Sequence, residues 1–201
     1  AALWTDFLPG PAPGILDWYT VLMGLEGAAI LTVHGANYLA MKTEGPVRDR
    51  ARCVAALGQW TVAALTLASL LALPLVQPGL RSNYDAHPIG YGLLLLALGS
   101  LAGLFYWRRK QRDGASFLAS SLLILGLLGS TAWGLYPNLL ISTVHPTHSL
   151  TVSNAAASHE GLQWALGWFL AGFSLVLAYS VYVYRCFRGK IVLSEDERPG
   201  A

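Results

Sequence analysis

Five long apolar runs dominate the chain, separated by shorter polar segments that contain Gly, Pro and charged residues. Each run supplies the roughly 20 apolar residues that a helix needs to cross a hydrocarbon core of about 30 Å. Backbone polar groups find no water at that depth, so the runs are predicted to be helical. The pattern predicts an all-α polytopic membrane protein, a bundle of five transmembrane helices with spans near residues 18–41, 53–76, 89–107, 117–136 and 162–184.

The basic residues orient this bundle in the membrane. Of the 13 Lys and Arg residues, four lie in each of the segments 42–52, 108–112 and 185–198, and Arg81 stands alone on the opposite side. Short loops that carry Lys and Arg stay on the cytoplasmic side of an energised membrane. All three segments, and with them the C-terminus, are therefore predicted to be cytoplasmic.

The composition agrees with a surface that faces lipid. Hydrophobic residues make up 54% of the chain and charged residues 12%, against roughly 25% charged residues in a soluble domain. The basic residues are divided among separate helix ends, so contact with lipid headgroups is expected and a nucleic-acid surface is not. We predict three parts: an external approach segment at 1–17, the transmembrane bundle at 18–186, and a cytoplasmic tail at 187–201.

The first span carries ionisable groups well inside it, Glu26 and His34, and Asn37 lies on or near the same helical stripe as Glu26. Burying an ionisable group in a membrane costs roughly several kcal/mol unless it faces protein, water or a partner. Two interpretations stay open for these residues. They form a proton path or a polar contact with a partner subunit, or they are hydrogen-bonded between helices of this chain.

Histidines elsewhere give weaker signals. His145, His148 and His159 share one outer segment, and the first two have a loose HxxH spacing. A zinc site needs a third and usually a fourth ligand with a defined second shell, so a solvated loop is predicted here. Haem held between helices generally needs two axial ligands. His34 has no second intramembrane histidine to match it, so haem ligation within this chain is not expected.

The remaining motifs indicate structure. Cys53 and Cys186 lie at predicted cytoplasmic helix ends, where a disulfide is not expected. Gly99 and Gly103 form a small-xxx-small pattern that permits close helix approach. The sequence contains no phosphate loop, nucleophile elbow or carboxylate dyad. We therefore predict no catalytic, cofactor-binding or metal-binding residue, and a chain that is not a self-contained enzyme.

One long string resembles subunit II of the cytochrome bd-type quinol oxidases. Its most specific part is H-G-A-x-Y-L-A-x-K-T-E-G, which contains His34, Gly35, Lys42, Thr43, Glu44 and Gly45, followed by R-A-R at 50–52. Residues 137–158 and 183–190 also resemble that family. The resemblance covers nearly the whole chain but only the C-terminal portion of a full subunit. The chain starts with Ala-Ala and no signal peptide, so a processed chain or a fragment is expected.

The resemblance implies a subunit of a bacterial respiratory complex in the inner (plasma) membrane. Such a complex oxidises quinol and reduces dioxygen to water, with haem b and haem d held by subunit I. The partner implied is therefore a haem-bearing subunit I, together with membrane lipid and quinone as a candidate ligand. The quinone type, the haem complement and any small accessory subunits are left open by this sequence.

Two other functions compete with this one. In the first alternative, the chain is half of a proton-coupled secondary transporter, with Glu26 and His34 at the site. In the second, it is a self-contained haem b cytochrome. Transporters of that kind usually have helices broken near the middle of the membrane. Pro74 and Pro78 lie at a predicted helix end instead, which counts against a transporter.

Overall fold

The computed structural model describes residues 15–142 and 146–190. Helices make up most of it. Two short 3-10 turns, Pro88–Gly90 and Pro146–His148, accompany the longer elements. The helices are α1 Trp18–Lys42, α2 Gly45–Val76, α3 Leu80–Ala86, α4 Tyr91–Arg109, α5 Asp113–Leu135 and α6 His159–Cys186, and the two strands are β1 Asn138–Leu140 and β2 Leu150–Thr151.

Four helices in the described part of the chain are long and apolar enough to cross a membrane, as judged from length and composition. They are α2, α4 with the turn before it, α5 and α6, with mean hydropathies of 1.7 to 1.8 in their best windows. The predicted all-α membrane class is therefore confirmed. Helix α1 has 25 residues, a length of about 37 Å at 1.5 Å per residue. By mean hydropathy, its polar residues make it less apolar than the other four helices, and it is not among the candidate spans. A fifth crossing stays a prediction.

The junction between α1 and α2 differs from the sequence prediction. Helix α1 ends at Lys42, one residue beyond the predicted span, with Thr43 as its C-cap. Helix α2 then begins at Gly45, with Pro46 in its first turn. Residues 46–52, which lie between the first two predicted spans, therefore form the first turns of α2 and not a loop. Proline lacks the N–H that a first helical turn leaves unpaired, so here it begins a helix.

The connections on the other side also contain more structure than predicted. Helix α3 lies in the predicted loop between the second and third spans. In the longer connection after α5, strands β1 and β2 pair antiparallel, with Asn138 opposite Thr151 and Leu140 opposite Leu150. This side is called the outer side below, and the side with the basic segments is called the inner side.

Helices α1 and α2 form one packed pair, α4 and α5 form a second, and α1 joins the pairs by packing against α5. Buried apolar side chains near the middle of these four helices form a continuous core, which we call the central apolar layer. Its members are Ile30, Val33, Val62, Ala97, Leu101, Leu104, Ala119 and Leu123. The layer separates the outer half of the bundle from the inner half.

Helix α6 stands apart from this bundle, because none of its residues is buried. Just beyond its end, the Lys190 Nζ atom lies 3.3 Å from Oε1 of Glu44 at the start of α2. The end of α6 therefore lies on the same side as the α1–α2 junction. This placement agrees with the grouping of basic residues on one side.

Close helix approach occurs at a different glycine from the predicted pair. A Cβ atom on Gly99 would meet nothing within 4 Å, and one on Gly103 would make an ordinary contact with Ala119 at 3.7 Å. A Cβ atom on Gly126 of α5, in contrast, would lie 2.7 Å from the backbone nitrogen of Ala97. The absence of a side chain at Gly126 thus allows α4 and α5 to pack backbone to backbone.

We expect Gly126→Ala to destabilise the bundle by about 1–3 kcal/mol, because the added methyl group overpacks against backbone atoms that cannot rotate away. The matched control is Gly99→Ala, where the methyl group enters open space. Unfolding in mixed micelles at increasing denaturing detergent measures the difference. Equal unfolding midpoints for the two variants would contradict the close contact at Gly126.

Candidate functional site

Buried and half-buried polar side chains lie on both sides of the central apolar layer, and Ser100 and Ser120 are buried at the level of the layer on α4 and α5. The outer polar group consists of Glu26 on α1 with Thr66 and Ser69 on α2. The inner polar group consists of Asn37 on α1, Gln59 on α2, and Arg108 at the end of α4. These groups are the candidate functional site. Burying polar residues inside a membrane bundle costs free energy unless they are hydrogen-bonded, and such residues often have a function.

In the outer polar group, the Thr66 hydroxyl donates a hydrogen bond of 2.8 Å to Oε1 of Glu26. The Ser69 hydroxyl donates to the backbone carbonyl of Thr66 at 3.0 Å. Glu26 is only 3% exposed, yet its second oxygen, Oε2, has no hydrogen-bond partner among the described residues. One oxygen of this buried carboxyl group therefore remains available.

In the inner polar group, Arg108 joins three helices. Its Nε donates to Oε1 of Gln59 at 2.8 Å, and its Nη2 donates to Oδ1 of Asn37 at 2.8 Å. Its Nη1 donates to the backbone carbonyl of Arg52 at 3.2 Å. The guanidinium plane has donors in a fixed fork, so one residue of α4 holds α1 and α2 at a defined rotation.

Ion pairs lie next to this group at the inner end. Asp113, the first residue of α5, accepts from Arg48 at 2.6 Å and from Arg52 at 2.8 Å. Two guanidinium groups share this one carboxylate, and Arg108 bonds to neutral groups, so the inner end carries excess positive charge. Such an excess favours anionic lipid headgroups at this side.

The outer end is held by neutral contacts instead. Asn83 and Tyr84 of α3 donate to the backbone carbonyls of Trp133 and Ser130 on α5. Burial raises the pKa of the Tyr84 hydroxyl above its ordinary value, so this group stays neutral. A cavity of about 430 Å³ lies beside these contacts, lined by Asn83, His87, Gly129, Ala132, Trp133 and Tyr136.

His34 makes a third kind of contact. Its Nδ1 atom lies 2.8 Å from the hydroxyl of Ser120 on α5, and its ring stacks on Phe117 at 4.8 Å between centroids. Glu26, His34 and Asn37 thus contact α2, α5 and α4 respectively. The three polar residues predicted from the sequence do not converge on one site.

The other residues of the recognised string build the α1–α2 junction. Lys42 lies in the last turn of α1, Thr43 is its C-cap and Glu44 is the N-cap of α2. Gly45 has a φ of +64°, a conformation that glycine adopts without the steric cost of a Cβ atom. Gly35 has open space where a side chain would be. This string therefore shapes a turn and contains no grouped chemical site.

Sequence reasoning missed the partners Gln59, Thr66, Arg108 and Ser120. A signal was available on α2, because Arg52, Gln59 and Thr66 are spaced by seven residues and so share one helical stripe. Nothing in the sequence indicates which neighbouring helix that stripe faces.

Within the described residues, no group of three His, Cys, Asp or Glu side chains is placed to hold a metal ion. His145 lies outside the described residues, so the HxxH spacing is not described as a whole. Cys53 and Cys186 are both exposed free thiols.

Residues 3–187 match the family described as cytochrome bd terminal oxidase subunit II. The chain is similar to "Probable cytochrome oxidase subunit 2" of Haemophilus influenzae, with 26% identity over 204 residues, covering 88% of this chain and 53% of that protein. It is also similar to "Cytochrome bd ubiquinol oxidase subunit 2" of Bacillus subtilis, with 26% identity, covering 88% of this chain and 51% of that protein. The chain spans about half the length of these curated relatives.

We expect Arg108→Leu to destabilise the bundle, because Oδ1 of Asn37 and Oε1 of Gln59 would lose their donors. A buried acceptor left unpaired costs about 1–3 kcal/mol. The matched control is Arg109→Leu, which removes one positive charge from the same segment at an exposed position. Unfolding in mixed micelles measures both variants, and equal losses of stability would show that charge alone accounts for the effect.

Proposed function

The chain belongs to the cytochrome bd terminal oxidase subunit II family, and from this membership we propose that it acts in a bacterial quinol oxidase that reduces dioxygen to water. The family match over residues 3–187 is the observation that carries the proposal. Haem b and haem d are assigned to a partner, subunit I, and quinol is assigned to the complex as its electron donor. This chain supplies a membrane-embedded scaffold and contributes no active site of its own.

The donor set of this chain supports the assignment of haem to the partner. Among the described residues, His34 is the one histidine in the interior of a long helix, since His159 is the first residue of α6. Its Nδ1 is hydrogen-bonded to Ser120, and Phe117 covers one face of its ring. Haem held by two axial ligands needs a second ligand across from the first. The residues present therefore do not fit a haem coordinated within this chain.

We also assign five membrane crossings, with α1 as the first. Helix α1 packs along α2 and α5, two of the apolar helices, and its polar side chains turn toward them. A helix can cross a membrane with such residues when they face protein. With the basic segments on the cytoplasmic side, the C-terminus is cytoplasmic too, and the membrane is the bacterial inner membrane.

Helix α6 supports an assembly with a partner subunit. In α2, α4 and α5, 28–33% of the most apolar window is buried, whereas in α6 this share is 0%. Trp168 is 77% exposed at the side of α6. Most of the surface of α6 is left exposed by the described part of the chain, so we assign it to contact with the haem-bearing subunit and with lipid.

The polar residues of α1 divide between two roles in this proposal. His34 and Asn37 are engaged with neighbouring helices, so they position α1. Hydrogen bonds between membrane helices contribute about 0.6 kcal/mol on average, so they define rotation and register more than total stability. Glu26 keeps a free oxygen and is the candidate for proton exchange.

The transporter alternative is not favoured. Glu26 bonds to α2 and His34 bonds to α5, so the two residues do not share one site. The family match points to an oxidase subunit instead.

Affinity purification of the full-length subunit from native membranes is expected to bring down a second, haem-bearing polypeptide. Reduced-minus-oxidised spectra of this material should show haem, and the complex should oxidise quinol with uptake of dioxygen. The proposal fails if the chain purifies alone with stoichiometric haem, or if the purified assembly contains no haem.

Trp168→Ala should lower the amount of haem-bearing partner recovered with the subunit. Truncating a central aromatic residue at an interface costs about 2 kcal/mol or more, which corresponds to roughly 30-fold weaker association. Trp60→Ala is the control, since Trp60 is 63% exposed but lies on the bundle against Phe105. Equal recovery of partner with both variants would contradict the role of α6.

A further inference from the structure

Glu26 lies in the outer half of the bundle. It follows Trp18, the first residue of α1, by eight positions and precedes Lys42, the last, by sixteen. At 1.5 Å per residue these separations are about 12 Å and about 24 Å. An ionisable group at this depth is nearer to water on the outer side than to water on the inner side.

The surroundings of Glu26 are polar toward the outer side. Tyr19 lies seven residues earlier on the same stripe of α1 and is partly exposed. On α2, the Thr66 hydroxyl bonds to Glu26, and Ser69 lies about one turn further outward. Hydroxyl groups both donate and accept hydrogen bonds, so they can pass a proton along with a water molecule.

Where α1 packs on α2, the surroundings of Glu26 are apolar and closely packed toward the inner side. Ile30 and Val33 follow it on the same stripe of α1, and Val62 precedes Thr66 by one turn of α2; all three are buried members of the central apolar layer. A Cβ atom on Gly58 would lie 2.6 Å from Cγ2 of Val33, so α1 and α2 approach closely at this level. An apolar contact of this kind leaves no polar site for a bridging water molecule.

Positive charge adds a second obstacle on that side. The inner polar group places Arg108 beside Asn37 and Gln59, directly beyond the apolar layer, with Arg52 adjoining it. A guanidinium group in a narrow path repels a proton that would pass it.

Other titratable groups on the packed helices lie further from the outer side than Glu26 or at the surface. On α1 itself, His34 lies about two turns further inward, where it bonds to Ser120 on α5. On α4, Tyr91 donates to Asp85 at the outer surface, and Arg108 lies at the inner end. On α5, Asp113 is at the inner end, paired with Arg48 and Arg52. Tyr19 is therefore the titratable group that shares the outer stripe with Glu26.

We propose that Glu26 is a proton-binding carboxyl group that exchanges protons with the outer side, while the central apolar layer and Arg108 close it to the cytoplasmic side. The carboxylate takes a proton from hydronium and leaves water, and the reverse step returns the proton to the same side. The available oxygen, Oε2, carries the proton, and Oε1 keeps the bond from Thr66. This deepens the role given to Glu26 in the proposed oxidase, but its test does not require oxygen reduction.

The test is infrared difference spectroscopy of the assembled complex in uniformly oriented proteoliposomes, with the pH changed on one side at a time. A carboxylic C=O band should respond to the pH on the outer side and stay constant when the inner pH changes. Glu26→Gln should remove this band. Glu44→Gln, at an exposed position on the inner side, is the control and should leave it in place.

Two further variants keep the test decisive. Thr66→Val should shift the frequency of the band by removing the bond to Oε1, which identifies the band even if Glu26→Gln fails to assemble. Val33→Thr, which places a hydroxyl group in the apolar layer at nearly constant volume, should make the band respond to the inner pH as well.

A band that follows the inner pH in the unmodified complex would overturn the proposal, as would a band that survives Glu26→Gln. Dioxygen uptake is measured on the same samples. Normal uptake without an outer-side band refutes the role of Glu26 and leaves the proposed oxidase function intact. An outer-side band in a complex that lacks haem and takes up no dioxygen supports the role of Glu26 and refutes the proposed oxidase function.

Discussion

The arrangement of the bundle depends on Arg108, a charged residue that finds its partners inside the protein. Its donors reach Asn37 on α1, Gln59 on α2 and the backbone of Arg52. Apolar side chains give little directional preference in lipid, because lipid tails are as apolar as leucine. A guanidinium group needs acceptors in fixed directions, so it selects one rotation for each of the helices that it joins. The ion pairs of Asp113 with Arg48 and Arg52 extend this control to the start of α5.

The contacts of Arg108 at the inner end also determine which side chains meet at the outer end of the bundle. With α1 and α2 held at one rotation, the same stripe that presents Gln59 to Arg108 presents Thr66 to Glu26. The central apolar layer then lies between the two polar groups, and they act at different depths. A single chain can therefore combine charges that hold it together with a carboxyl group that keeps one oxygen free. The scaffold role and the proton role do not compete for the same residues.

Sequence reasoning succeeded where a property depends on local composition. Glu26 was predicted to lie well inside the first span, and it is buried, as is Asn37 on the same stripe of the helix. It failed at the start of α2. Gly followed by Pro can end one helix or begin another, and the second span was predicted near residue 53, but Gly45 and Pro46 already begin α2. Both residues are compatible with either role, and the contacts of Arg48 and Arg52 with Asp113 give the following turns a reason to be helical.

The sequence by itself determined the membrane class, the helical backbone and the grouping of basic residues at one side. These properties follow from the free-energy cost of exposing backbone polar groups and charges to lipid. That cost depends on the composition of each segment alone. Only the tertiary structure decided that Glu26 meets Thr66, that His34 meets Ser120, and that Arg108 turns inward instead of facing water. Each of these contacts requires two helices at a particular distance and rotation, and that geometry comes from packing between segments far apart in the chain.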